Sequence, residues 1–135
     1  MEIIKPSSLE FLKKYLNTSS PTGYEIEGQK IWIEYLKNYV DNFITDSYGT
    51  AVGVINKEAQ FKLVIEAHSD EISWYVNYIT ENGLIYVIRN GGSDHQIAPS
   101  KDVDIHTKKG IVKGVFGWPA IHTRKPSKEE SPKID

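Results

Sequence analysis

The sequence predicts an α/β half followed by an all-β half. Up to about residue 39, apolar residues recur at helical spacing. From Phe43 the period changes to two, and from Ile72 onward no helical pattern remains. Residues 1–72 read as the first part of an α/β sheet with flanking helices. Residues 73–122 read as a small barrel-like or sandwich-like all-β unit. Residues 123–135 read as a charged tail containing Pro and Ser, mobile in solution. No internal repeat is visible.

Ser7-Ser8-Leu9-Glu10 has the form of a capping box, with Ser7 as the cap and Glu10 reciprocating. Leu9, Leu12 and Leu16 follow at helical spacing, widened by Phe11 and Tyr15, so a short amphipathic helix is expected to end near Asn17. Asn17 to Gly23 is loop chemistry. A second helix is expected from Glu25 to Tyr39, with Ile31, Tyr35, Leu36 and Tyr39 on its apolar side. Phe43 to Asp46 reads as a strand, Ser47 to Thr50 as a turn and Ala51 to Ile55 as a second strand. Phe61 to Ala67 is a largely apolar run, which suits an inner strand of a covered sheet. In the second half, strands are expected at Trp74–Thr80, Leu84–Arg89, Val103–Thr107 and Gly110–Phe116. Asn82-Gly83, Gly91-Gly92 and Lys109-Gly110 separate them.

Composition narrows the function. The chain has 135 residues, 39 % of them hydrophobic and 25 % charged, which suits a globular domain long enough to bury a core. The net charge of −2 offers no basic surplus for phosphate backbones, so no nucleic-acid partner is expected. No cysteine is present, which excludes disulfides, thiolate catalysis and zinc held by sulfur. Any transition metal must use imidazole and carboxylate ligands. The first residues, Met1 to Pro6, show no apolar signal region, and no run approaches membrane-span length. A cytoplasmic protein without a membrane partner is expected.

Three segments carry candidate chemistry. In His68-Ser69-Asp70-Glu71, residues two apart share a face of an extended chain, so His68 and Asp70 would point into one cleft. Ser69 and Glu71 would then point away. A metal-binding histidine needs an acceptor on its other nitrogen, and a nearby carboxylate supplies one. The plainer alternative is a hydrogen-bonded histidine at a strand end. The adjacent Asp70 and Glu71 make a poor glycosidase pair, because neighbours on a strand face opposite ways. Ser20-Pro21-Thr22-Gly23-Tyr24-Glu25 reads locally as a turn opening a helix, and Gly91-Gly92-Ser93-Asp94-His95-Gln96 as a tight turn. His95, His106 and His122 form no pair at ligand spacing, and the tryptophans Trp32, Trp74 and Trp118 read as packing residues.

Taken in order, these segments resemble the M42 family of di-metal aminopeptidases. That family includes the glutamyl and tetrahedral aminopeptidases, and some members carry an older cellulase or endoglucanase label. Ser20 to Glu25 matches its N-terminal loop. Asp46 to Gly49 resembles its Asp-x-x-Gly-Asn turn, with Thr50 where Asn is usual. Ala67-His68-Ser69-Asp70-Glu71-Ile72 matches its Ala-His-Met-Asp-Glu signature, with Ser69 in place of Met and Ser73 in place of the following Gly. Gly91 to Gln96 and Gly114-Val115-Phe116-Gly117 with His122 resemble two further stretches.

The resemblance implies a metallo-aminopeptidase acting on peptides, with two divalent ions, zinc or cobalt. His68 would be a metal ligand and Asp70 the catalytically important carboxylate beside it. The β-rich part would be an inserted domain through which homo-oligomers assemble. The family's bridging Asp, paired glutamates, second-metal Asp and second His all lie after that insert. The expectation is an N-terminal part of such an enzyme, supplying at most one metal ligand and inactive alone. A non-catalytic assembly or binding module is the alternative, and a glycanase resting on Asp70 and Glu71 is a third.

Overall fold

The computed structural model describes residues 4–118 and 120–123. The expected tail therefore lies outside the described residues beyond Thr123, as does Pro119. The chain divides into two compact units, Met1–Glu71 and Ile72–Asp135. No helix among the described residues is long and apolar enough to cross a membrane.

In the first unit, helix α1 spans Pro6–Leu16. The capping box does not form. Pro6 occupies the first turn, where a missing N–H costs nothing, and Lys5 takes the cap position in an extended conformation with no side-chain bond. Ser8 Oγ instead lies 2.8 Å from the Tyr35 hydroxyl on the next helix. The end is as expected. Asn17 closes the last turn, its backbone and side-chain nitrogens both donating to the Lys13 carbonyl. Helix α2 spans Ile26–Leu36, shorter than its apolar pattern suggested, because the chain turns back with Tyr39 N–H on the Leu36 carbonyl. The helices meet through Phe11, whose ring stacks on Tyr35 at 3.9 Å between centroids. Such a pair is worth about 1 kcal/mol beyond its area.

Strands β1 (Asn42–Thr45) and β2 (Ala51–Val54) form an antiparallel hairpin, with Phe43 opposite Gly53. Its turn is built on Asp46, whose Oδ1 accepts the N–H groups of Tyr48 (2.9 Å) and Thr50 (3.0 Å). Gly49 sits there at φ +88°, a conformation that disfavours a side chain. Gly53 is packed for a different reason: a Cβ would come within 2.9 Å of Val40.

Phe61–Ala67 is not an inner strand. The segment is extended but pairs with no strand among the described residues. Phe61, Leu63, Val64 and Ile65 are 76–91 % exposed. An apolar run suits a covered parallel sheet, but the sequence of the run cannot supply neighbouring strands or covering helices. Ala98 is the buried apolar side chain and no large side chain is fully buried among the described residues, so the expected core is thin.

The second unit contains hairpins β3–β4 (Ser73–Ile79 with Ile85–Asn90) and β5–β6 (Asp102–Thr107 with Gly110–Val115). All four strands lie where the sequence placed them, to within a residue or so. The barrel does not close among the described residues: each sheet has two strands. Trp74 meets Phe116 edge-to-face at 4.7 Å, and Tyr78 stacks on Tyr86 at 4.5 Å. Asp104 pairs with Lys113 across β5–β6.

The exposure of the 61–67 run gives a direct test. Ile65→Ser should change the unfolding free energy by less than about 0.5 kcal/mol, as surface substitutions do. Urea denaturation followed by circular dichroism checks this. A loss of about 2 kcal/mol or more, the usual penalty for truncating a buried side chain, would refute the exposed position.

Candidate functional site

The site lies wholly within the first unit, where the 67–71 segment meets the Ser20–Glu25 loop. Glu71 N–H donates to the Ser20 carbonyl at 2.9 Å, and Ser20 N–H donates to Glu71 Oε1 at 2.7 Å. Pro21 and Glu71 also form a parallel bridge. Proline suits this position, because the bridge asks nothing of its absent N–H. Ser20 is buried at 6 % exposure beneath α2. Gly28 of α2 permits that approach, since a Cβ there would fall 2.3 Å from Ser20 Oγ.

This clasp sets the orientation of Asp70. Thr22 Oγ1–H donates to Asp70 Oδ2 at 2.6 Å. The other carboxylate oxygen, Oδ1, lies 2.9 Å from His68 Nδ1, and the Asp70 carbonyl lies 3.1 Å from the same nitrogen. Both of these partners are acceptors only, so Nδ1 carries the proton. The neutral ring then presents its Nε2 lone pair outward, and the side chain is 86 % exposed. The Thr22 hydroxyl and then the His68 ring hold the Asp70 carboxyl below the usual carboxylate range. Backbone N–H donors from the turn, led by that of Thr50, do the same for Asp46.

A shallow cavity of about 250 Å³ opens beside these groups, lined by residues including Gln29, Tyr48, Gly49, Ala67, His68 and Asp70. Gln29 spans it from α2, donating to the Gly49 carbonyl (3.0 Å) and to Ser69 Oγ (3.3 Å). The structure thus brings together three stretches singled out in the sequence: the 20–25 loop, the Asp46 turn and the His68–Glu71 run. His68 and Asp70 share a face as expected. Ser69 does not point away. It lines the same cavity, because no sheet enforces strict alternation on this segment. Glu71 turns to the Ser20 backbone, which removes it from any acid/base pairing with Asp70.

The remaining sequence candidates belong to the second unit. Gly91 has φ +79°, and Asp94 Oδ1 accepts the Gln96 N–H at the start of the short 3₁₀ turn His95–Ile97. His106 lies on β5 opposite Ile111, and His122 lies in the 3₁₀ turn Ile121–Thr123. Among the described residues, no three His, Asp or Glu side chains gather as a metal cage. Nothing in the sequence marks Ser20, Thr22 or Gln29 individually as partners of His68 and Asp70. Thr22 lies in the Ser20–Glu25 loop, but its pairing with Asp70 spans 48 residues and leaves no local signature.

The model of the M42 glutamyl aminopeptidase family matches residues 49–135 of the chain. The chain belongs to the M42 family. Among curated relatives, a lysyl aminopeptidase of Pyrococcus furiosus is 29 % identical over 127 residues, covering 93 % of this chain and 36 % of the relative. Among solved structures, a TET aminopeptidase from the marine sediment archaeon Thaumarchaeota archaeon SCGC AB-539-E09 superposes with a TM-score of 0.82 at 26 % identity. That match covers 89 % of this chain and 33 % of the other. The TET1 peptidase of Pyrococcus horikoshii, described as assembling into a tetrahedron or a large octahedral shell, gives a TM-score of 0.68 at 26 % identity. It covers 92 % of this chain and 37 % of the other. This M42 chain therefore spans about a third of the length of these relatives.

Two outcomes follow from the clasp. Asp70 has a lowered folded-state pKa, so its contribution is fully present above the ordinary carboxylate value of about 4 and is lost as pH falls through the lowered one. The amide signals of Thr22 and Asp70 should therefore hold steady from pH 7 to about 4. A carboxylate transition centred within that range would contradict the bonding described. Secondly, Glu71→Ala should lower the unfolding free energy by about 1 kcal/mol and Glu71→Gln by less, since the amide oxygen can still accept from Ser20. Equal losses in urea denaturation would show that the bond to Ser20 is not what Glu71 contributes.

Proposed function

We propose that this chain carries part of the metal centre of an M42 aminopeptidase, with His68 as a ligand and Asp70 as the catalytically important carboxylate that orients it. The single observation behind this is the Nδ1 hydrogen bonding of His68, which leaves Nε2 as an outward lone pair over an open cavity. That is the arrangement a metal-binding imidazole requires.

The described residues fit one ligand position and not a complete centre. A zinc site needs three or four protein ligands, and no such group is present among them. The remaining ligands for two divalent ions, zinc or cobalt, would come from other polypeptide. When bound, such ions supply Lewis acidity toward a peptide carbonyl and its attacking water. The residues of this chain hold the imidazole in one tautomer, keep Asp70 ionised and leave the cavity open for a peptide N-terminus. The apolar exposure of Phe61, Leu63, Val64 and Ile65 supports completion of this lobe by further chain. In this reading the 135 residues alone do not turn over substrate.

The β-rich second unit is proposed as the assembly surface of a homo-oligomer. Ile79, Leu84, Ile111 and Val115 are 55–65 % exposed on or beside its hairpins, and the P. horikoshii peptidase is described as a large assembly. A glycanase gains no support from the site, because the Glu71 carboxylate is held by the Ser20 backbone and the Asp70 carboxylate by Thr22 and His68.

Metal analysis and zinc titration of the 135-residue chain test the proposal. Weak zinc or cobalt binding that perturbs His68 and disappears in His68→Ala is expected, without release of amino acids from aminoacyl amides. Stoichiometric tight zinc, turnover by the chain itself or binding unaffected by His68→Ala would overturn it.

A further inference from the structure

The hydroxyl of Thr22 has a close acceptor in the site, Asp70 Oδ2 at 2.6 Å, with the Glu71 carbonyl farther off at 3.4 Å. We propose that Thr22 is a positioning residue for His68, acting through Asp70. This rests on the reading of His68 as a ligand, and it assigns to Thr22 the selection of which imidazole nitrogen is offered.

A carboxylate with one fixed oxygen can present the other in only one direction. Thr22 Oγ1–H holds Oδ2 at 2.6 Å and so commits Oδ1 to His68 Nδ1 at 2.9 Å. Thr22 follows the Pro21–Glu71 bridge, and the two bonds between Ser20 and Glu71 hold the start of its loop beside Asp70. The His68 side chain, in contrast, is 86 % exposed. Its orientation therefore depends chiefly on the hydrogen bonds at Nδ1. The Asp70 carbonyl at 3.1 Å is a second, longer acceptor for Nδ1. Without the Thr22 donor, the Asp70 side chain regains rotation about its carboxyl bond, and water competes for Oδ1. The neutral ring then drifts toward the Nε2–H form that prevails in free histidine, which withdraws the outward lone pair.

The test uses the metal-free 135-residue chain at a pH where imidazole is neutral. Long-range proton–nitrogen NMR reads the tautomer of His68 directly, and His68→Ala assigns its signals among the four histidines. The unmodified chain should show Nδ1–H. Thr22→Val removes the donor at nearly constant volume and should move His68 toward Nε2–H. Thr22→Ser restores the hydroxyl and should restore the unmodified pattern, whereas a merely structural Thr22 would alter thermal stability without changing the tautomer. An unchanged Nδ1–H pattern in a folded Thr22→Val chain overturns the proposal. If Thr22→Val does not fold, the hydroxyl proton of Thr22 in the unmodified chain decides. Free exchange with water overturns the proposal, and protection together with Nδ1–H in Thr22→Ser supports it. Zinc plays no part in these measurements, so failure of His68 as a ligand and failure of Thr22 as its positioning residue are read separately.

Discussion

Hydrogen bonds between the Ser20–Thr22 loop and the His68–Glu71 run, with two more inside that run, hold the candidate site together. Ser20 and Glu71 exchange two of them, Thr22 and Asp70 share a third, and His68 closes onto Asp70 through two more. Among the described residues no sheet surrounds this contact, and the chain on its N-terminal side, from Phe61 to Ala67, pairs with no strand. The His68–Glu71 run therefore takes its place from the clasp and from Gln29 on α2. Each such bond is worth about 1 kcal/mol net, more where a carboxylate accepts, so the clasp is a modest force with a large geometric consequence.

The helices serve the clasp. Stacking of Phe11 on Tyr35 sets α1 against α2, and α2 presents Gly28 to Ser20 and Gln29 to Ser69. Gly28 is the tightest point in that arrangement, since any side chain there would displace the buried serine. The Asp46 turn is self-contained by comparison. Its carboxylate takes two backbone N–H groups, and Gly49 supplies the left-handed residue, so Tyr48 and Gly49 reach the cavity wall as parts of a local unit.

The apolar run and the clasp make opposite demands. Phe61 to Ala67 has the composition of a covered strand, yet its side chains face solvent. The residues immediately after it are held by hydrogen bonds to the Ser20–Thr22 loop and to Gln29. The order of the His68–Glu71 run thus comes from the clasp and from Gln29 rather than from a strand ladder among the described residues.

The sequence alone determined the local elements and the family. Period and turn residues located both helices, the β1–β2 hairpin and all four strands of the second unit, because these are set by interactions within a dozen residues. The ordered motifs around Ser20, Asp46, His68 and Gly91 pointed to the M42 family, and spacing placed His68 and Asp70 on one face. What depends on distant partners was not legible. Pro6 overrode the Ser7 cap through backbone sterics, Ser69 turned inward because no ladder imposed alternation, and the 61–67 run stayed unpaired. Above all, tertiary structure decided what Thr22 and Glu71 do. A hydrogen bond between residues 48 or 51 apart is set by where the chain returns in space, and no pattern in the residues between them encodes it.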